Sequence, residues 1–163
     1  MAKYKQRISD RILKRKVLGK GAVLIEGPKW CGKTTTAKQL AKSVLDLGDS
    51  SVLKQSAQLI ELSPKTLLEG KTPRLIDEWQ ALPLIWDSIR SEVDNRGEPS
   101  QFILTGSSVL PEADETIHSG TGRFAYIKMR PMSLYESGES NGTVSLTDLF
   151  EGKPFDTQSN DLT

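Results

Sequence analysis

The sequence is poorest in the residues that build disulfides and transition-metal sites. It has one cysteine, Cys31, and one histidine, His118, in 163 residues. A lone cysteine rules out an internal disulfide and suits a reducing compartment. A lone histidine rules out a histidine-based metal cluster and paired-histidine chemistry. Nowhere does an apolar run approach the ~20 residues of a membrane span. The N-terminus also lacks the apolar core of a secretory signal. Charge of one sign is missing too: net charge is +1, so no global field draws the chain to nucleic acid or a membrane. No N-K-x-D element for reading guanine occurs. These absences leave a soluble cytoplasmic protein as the expectation.

The composition is that of a folded domain, with 36% hydrophobic and 26% charged residues, and the length suits one core. Charge is locally uneven: Lys3, Lys5, Arg7, Arg11, Lys14, Arg15, Lys16 and Lys20 face Asp10 alone in the first twenty residues. Tyr4, Ile8, Ile12 and Leu13 recur among them at helical spacing, which predicts an amphipathic helix over 4–17 with a cationic outer face. That face could meet nucleic-acid phosphates, but a solvated or docking face is the favoured reading.

Residues 22–25 (AVLI) read as a strand buried on both faces. A loop over 27–32 follows, then a helix from Lys33 to about residue 41. Residues 43–48 fit either a continuation of that helix or a second strand. Helical stretches are expected near 52–60 and 64–69, the second with Ser63 as N-cap and Pro64 at its first position. Leu75 and Ile76 form a short strand running into Asp77 and Glu78. Leu82, Ile85, Trp86, Ile89 and Val93 mark an amphipathic helix with Pro83 near its start and Gly97 beyond its end. Residues 102–104 (FIL) and 124–129 read as further strands, separated by a polar loop that includes the HSGTGR segment, residues 118–123. Pro131 and Ser133 open a short helix, and the sequence beyond Gly138 is polar and glycine-rich. Strands alternating with helices predict an α/β fold with a parallel sheet and helices on both faces.

The stretch GPKWCGKT, residues 27–34, fits G-x-x-x-x-G-K-[ST] between an apolar strand and helical sequence. In such a loop Gly27, Lys29, Trp30, Cys31 and Gly32 turn backbone N–H groups toward phosphate oxygens, while Pro28, which has no N–H, belongs to the loop without donating. Lys33 reaches the terminal phosphates, Thr34 ligates Mg²⁺, and Thr35 continues the cradle. Cys31 lies where thiols can become reactive, although a small residue filling the loop is the plainer reading. Asp77 and Glu78 stand at the carboxyl end of a strand, the edge where open α/β sheets bind ligands. Asp77 suits the Mg²⁺ shell, and Glu78 suits the base that orients water against the γ-phosphate. As strand neighbours they should point to opposite faces. Only two apolar residues precede Asp77, where four are usual. Thr105, ending the next buried strand, could touch the γ-phosphate or the attacking water, or simply begin a turn. Arg123 could neutralise phosphoryl charge within its own chain or across a subunit interface; a surface arginine is the alternative.

Taken in order, GPKWCGKTTTA, PRLIDEWQ, FILTGSS, HSGTGR and RPMSLYESGE resemble the N-terminal ATPase domain of bacterial and archaeal AAA-type proteins that carry a C-terminal domain of unknown function. The resemblance spans about residues 20–138. It implies a P-loop NTPase three-layer sandwich with a five-stranded, mostly parallel sheet of AAA-type order. It places the acidic strand beside the phosphate-loop strand, reads 43–48 as the second strand, and gives Mg·ATP as ligand. It also carries nucleotide and metal roles to Lys33, Thr34, Asp77 and Glu78, and sensor-like and arginine roles to Thr105 and Arg123. The expected division is a basic helix over 1–19, the ATPase core over 20–138, and a polar extension over 139–163. No helical lid follows the core, and family members are more than twice as long, so a fragment lacking a C-terminal domain is expected. Three functions stand: an ATPase regulating an attached or partner domain, alone or as an oligomer; a nucleotide-gated interaction module with little or no hydrolysis; and a small-molecule kinase.

Overall fold

The computed structural model describes residues 4–107 and 121–154. The His118, Ser119 and Gly120 part of the polar loop, and the chain beyond residue 154, lie outside them. The chain divides into a unit of residues 9–131 and a unit formed by residues 1–8 with 132–163.

The larger unit is built on five strands: β1 (Ala22–Gly27), β2 (Ser43–Asp46), β3 (Arg74–Asp77), β4 (Phe102–Ser107) and β5 (Phe124–Lys128). They lie in the order β2-β3-β4-β1-β5, and every pairing is parallel. The order corrects one expectation. The acidic strand β3 is not beside the phosphate-loop strand; β4 lies between them, paired to both. Thr105 therefore sits between the loop and the acidic residues.

Alternation along the strands sends side chains to two cores, because neighbouring residues of a strand face opposite ways. Leu24, Ile76, Phe102, Leu104 and Phe124 pack on one face with Ile85, Trp86, Ile89 and Val93. Val23, Ile25, Leu75, Ile103 and Ile127 pack on the other with Leu13, Val17 and Ala37. The first face is covered by α3 (Ser50–Leu62), α4 (Pro64–Leu68) and α5 (Ile85–Arg96); the second by α1 (Ile8–Gly19) and α2 (Lys33–Lys38). The result is a three-layer α/β sandwich in which each fully buried Ile, Leu or Phe contributes about 1.5–3 kcal/mol relative to exposure. Trp86 stacks on Phe124 with ring centroids 4.4 Å apart. No helix among the described residues is long and apolar enough to cross a membrane.

Several element boundaries moved. The helix after the loop is six residues long rather than reaching residue 41. The chain must turn early to bring Ser43 beside Arg74, and the Lys42 amide is already bonded to the Pro73 carbonyl at 2.8 Å. Residues 43–46 are thus a strand. Ser63 and Pro64 do hold the N-cap and first positions of α4, but the Ser63 side chain makes no cap bond; its hydroxyl meets Thr66 Oγ1 at 2.9 Å instead. The helix expected from Leu82 starts at Ile85, after a 3-10 turn over Trp79–Ala81. Leu82 is nevertheless buried, so its apolar spacing signalled core rather than helix.

In the smaller unit, α6 (Leu134–Ser137) opens with a capping box between Ser133 and Glu136. A further short helix, α7 (Leu146–Phe150), capped by Ser145, lies in the polar region where no helix was expected. Glu136 also accepts from Arg7 Nε at 3.0 Å and from the Ile8 amide at 2.8 Å. Hydrogen bonds from the Ser133 amide first, then the Ile8 amide, the Ser133 hydroxyl and Arg7 lower its pKa from 4.5 to about 2. Because the folded value lies below the unfolded one, this clasp is at full strength above pH 4.5 and is lost as pH falls toward 2. Hydrogen exchange should show the Ile8 amide losing protection in that window while the β1 amides keep theirs. Unchanged Ile8 protection across it would contradict the assignment.

Candidate functional site

Gly27 ends β1 and begins the loop, and the backbone there tolerates no side chain. A Cβ on Gly27 would lie 2.3 Å from the Met129 carbonyl oxygen, because the chain leaving β5 passes directly against the loop. Cys31 points the same way, its Sγ 3.9 Å from that oxygen, and is buried. The structure thus makes Cys31 the small filler of the loop floor. Gly32 adopts φ 97°, a left-handed conformation that favours glycine.

Lys33 opens α2 and is buried. Its ammonium donates to the carbonyls of Gly27 at 2.9 Å and Pro28 at 2.8 Å, which use two of its three N–H groups. The loop thereby wraps around one fixed positive charge. With α2 only six residues long, that charge and the loop amides, rather than a long helix dipole, set the polarity of the site. Trp30 sits at the loop tip with φ 62° and is 99% exposed, whereas Trp79 and Trp86 are 3% exposed. A bulky residue in this backbone region is uncommon, and an indole left in water forgoes the burial that aromatic side chains usually supply.

Beside the loop lies an open cleft of about 720 Å³, lined by Lys33, Thr34, Thr35, Gly48, Leu53 and Glu78 among others. Lys29 and Trp30 line its rim as well. Behind this lining the Thr34 hydroxyl donates to Asp77 Oδ1 at 2.9 Å, and the Thr105 hydroxyl donates to the same oxygen. Asp77 is 5% exposed and Thr105 is fully buried. Thr105 therefore touches Asp77 rather than the open cleft.

Glu78 departs from the expected strand alternation. It lies just past β3 with φ 53° and ψ 45°, so the chain turns left-handed there. Its separation from Asp77 comes from this turn and not from the pleat. The arrangement costs on the order of 1–2 kcal/mol for an L-residue. The Glu78 carboxylate accepts from Gln80 Nε2, and the same nitrogen lies 3.2 Å from Ser107 Oγ. Neither Gln80 nor Ser107 was singled out in the sequence. Their one signal was position: Gln80 follows the acidic pair by two residues, and Ser107 shares a face of β4 with Thr105.

Could this donor set hold Mg²⁺? The Thr34 hydroxyl and the Asp77 carboxylate offer hard oxygens already in contact, as Mg²⁺ requires. Among the described residues no group of three or more His, Cys, Asp or Glu could form a metal cage. A pair of protein oxygens with the remaining positions left to phosphate and water is the usual Mg²⁺ arrangement, so the residues fit the ion.

Arg123 is not brought into the cleft. It precedes β5, and its carbonyl accepts from the Ala22 amide at the start of β1. The strands are parallel, so Arg123 lies on the sheet edge opposite the loop, separated from it by a strand of about 17 Å. There its guanidinium donates to Asp94 of α5. That bond is the main reason the Asp94 carboxyl lies below its ordinary range and Arg123 above its own. Both side chains remain over one third exposed.

The family model described as an AAA domain matches residues 19–138. No curated protein matches the chain. The structure of C. elegans PCH-2 is similar at 17% identity with a TM-score of 0.40, over 77% of this chain and 43% of that one.

Proposed function

The chain belongs to the AAA domain family, and on that premise we propose that residues 9–131 bind Mg·ATP at the loop over 27–34 and hydrolyse it in the adjoining cleft. One observation carries this reading: a buried ammonium, the Thr34 hydroxyl and the Glu78 carboxylate line a single cleft, and the Asp77 carboxylate stands behind that hydroxyl at 2.9 Å, forming with it a pair suited to Mg²⁺. The loop amides and Lys33 would hold the phosphates, with Lys29, Trp30 and Thr35 at the rim. Thr34 and Asp77 would hold Mg²⁺, which neutralises charge on the β- and γ-phosphate oxygens when bound. Thr105 keeps the shared Asp77 oxygen in place. Glu78, at the cleft wall, takes the proton of the attacking water as the bond from the γ-phosphorus to ADP breaks. ATP rather than GTP is assigned because no N-K-x-D element occurs in the chain. The work of turnover would pass to an attached or partner domain.

Titration calorimetry with ATP, ADP and GTP, each with and without Mg²⁺, tests the binding. Mg·ATP should bind best; no heat with any nucleotide would overturn the proposal. Binding without phosphate release at any protein concentration would leave a nucleotide-gated interaction module in its place.

Arg123, on the far sheet edge, would serve only a second copy of the chain. Phosphate release per chain should therefore rise with protein concentration, and Arg123→Ala should remove that rise by about 10-fold or more. Mixing Arg123→Ala with a Glu78→Gln chain, which keeps its arginine, should restore turnover. If the mixture stays inactive while wild-type turnover depends on concentration, the role in trans is wrong.

A further inference from the structure

We propose that Gln80 is the positioning residue for Glu78, a strut that ties the carboxylate to the tip of β4. This rests on the reading of Glu78 as the base that activates water. Gln80 Nε2 donates to Glu78 Oε2 and also reaches Ser107 Oγ. The amide can sit only this way round, because an ionised carboxylate accepts and never donates. Gln80 Oε1 is buried and finds no hydrogen-bond partner. A buried acceptor left unmatched is costly, so the side chain is held in place by what its nitrogen does.

The site is also cut to fit Gln80. A Cβ on Gly106 would stand 2.6 Å from Gln80 Oε1 and 3.0 Å from Trp79 Nε1. The bare Cα of Gly106 is the shelf on which the amide rests. The last turn of β4 thus serves both carboxylates from alternate positions. Thr105 bonds Asp77 directly, and Ser107, two residues on, reaches Glu78 through Gln80. Glu78 needs such support more than Asp77 does, since it lies beyond the strand in a left-handed turn with no ladder bonds to fix it. Gln80 does not line the cleft, which separates it from groups that touch substrate.

The test combines three substitutions with one background. Gln80→Glu keeps the length of the side chain and removes the donor; Gln80→Ala removes both. Gly106→Ala leaves Gln80 intact but pushes its flexible end off the shelf. Phosphate release at saturating Mg·ATP should fall by about 10-fold or more in all three, as for other residues that orient a reacting group. Calorimetric affinity for Mg·ATP should stay within about twofold, a loss in kcat rather than KM. Repeating Gln80→Ala in a Glu78→Gln background should add nothing further, because the strut then has no base to position. Full turnover in Gln80→Glu, or a loss equally large in both backgrounds, would overturn the proposal. Should Gly106→Ala fail to fold, as melting by circular dichroism would show, the two Gln80 variants decide it alone. If Glu78→Gln by itself leaves phosphate release unchanged, the base assignment falls, and this one with it.

Discussion

Glu78→Gln should bind Mg·ATP as tightly as the wild type and release phosphate about 100- to 10,000-fold more slowly, the range expected when a positioned general base is lost. The substitution is nearly isosteric, so the left-handed turn at residue 78 and the cleft wall should survive it. What it removes is the capacity to accept a proton from water while the phosphoryl group departs. The glutamine can still meet Gln80, since its own carbonyl accepts. Calorimetry beside a phosphate-release assay separates the two quantities, and equal turnover in the two proteins would remove Glu78 from the reaction.

Lys33→Ala should act on the other quantity. Its ammonium is buried, anchored to two loop carbonyls, and is the charge around which the loop closes. Hydrogen bonds to charged groups contribute about 1.5–3 kcal/mol each. Losing the one that its remaining N–H can give to a polyphosphate should therefore weaken Mg·ATP by at least about 10-fold, or about 1.4 kcal/mol. The variant also leaves the Gly27 and Pro28 carbonyls without their donor, so its melting temperature must be measured beside its affinity. A folded Lys33→Ala protein with wild-type affinity for Mg·ATP would remove the loop from the binding site.

How much of this was legible beforehand follows from the range of each interaction. The loop over 27–34 is a contiguous motif whose chemistry depends on residues adjacent in sequence, and its flanking strand and helix were readable from apolar spacing and the lysine. The α/β class followed from alternation of elements. The place of β3 did not, because strand order depends on which edge each crossover returns to, and nothing local to PRLIDEWQ encodes that. The left-handed turn at Glu78 was hidden because non-glycine residues rarely adopt it. Gln80 and Ser107 are ordinary polar residues whose meaning arises only when residues 78, 80 and 107 meet. Arg123 carries the same lesson in reverse: its motif was visible, but only the parallel register with Ala22 puts it on the far edge.

The floor of the loop has a mechanical consequence. Gly27 and Cys31 both rest against the backbone at Met129, and the Met129 amide is bonded to the Glu26 carbonyl at 2.7 Å. That amide lies just past the last strand, where the polypeptide departs the sheet. A tension applied along residues 129–131 would thus reach the loop over 27–32 through these contacts, and a rearrangement of that loop would pull back along the same line.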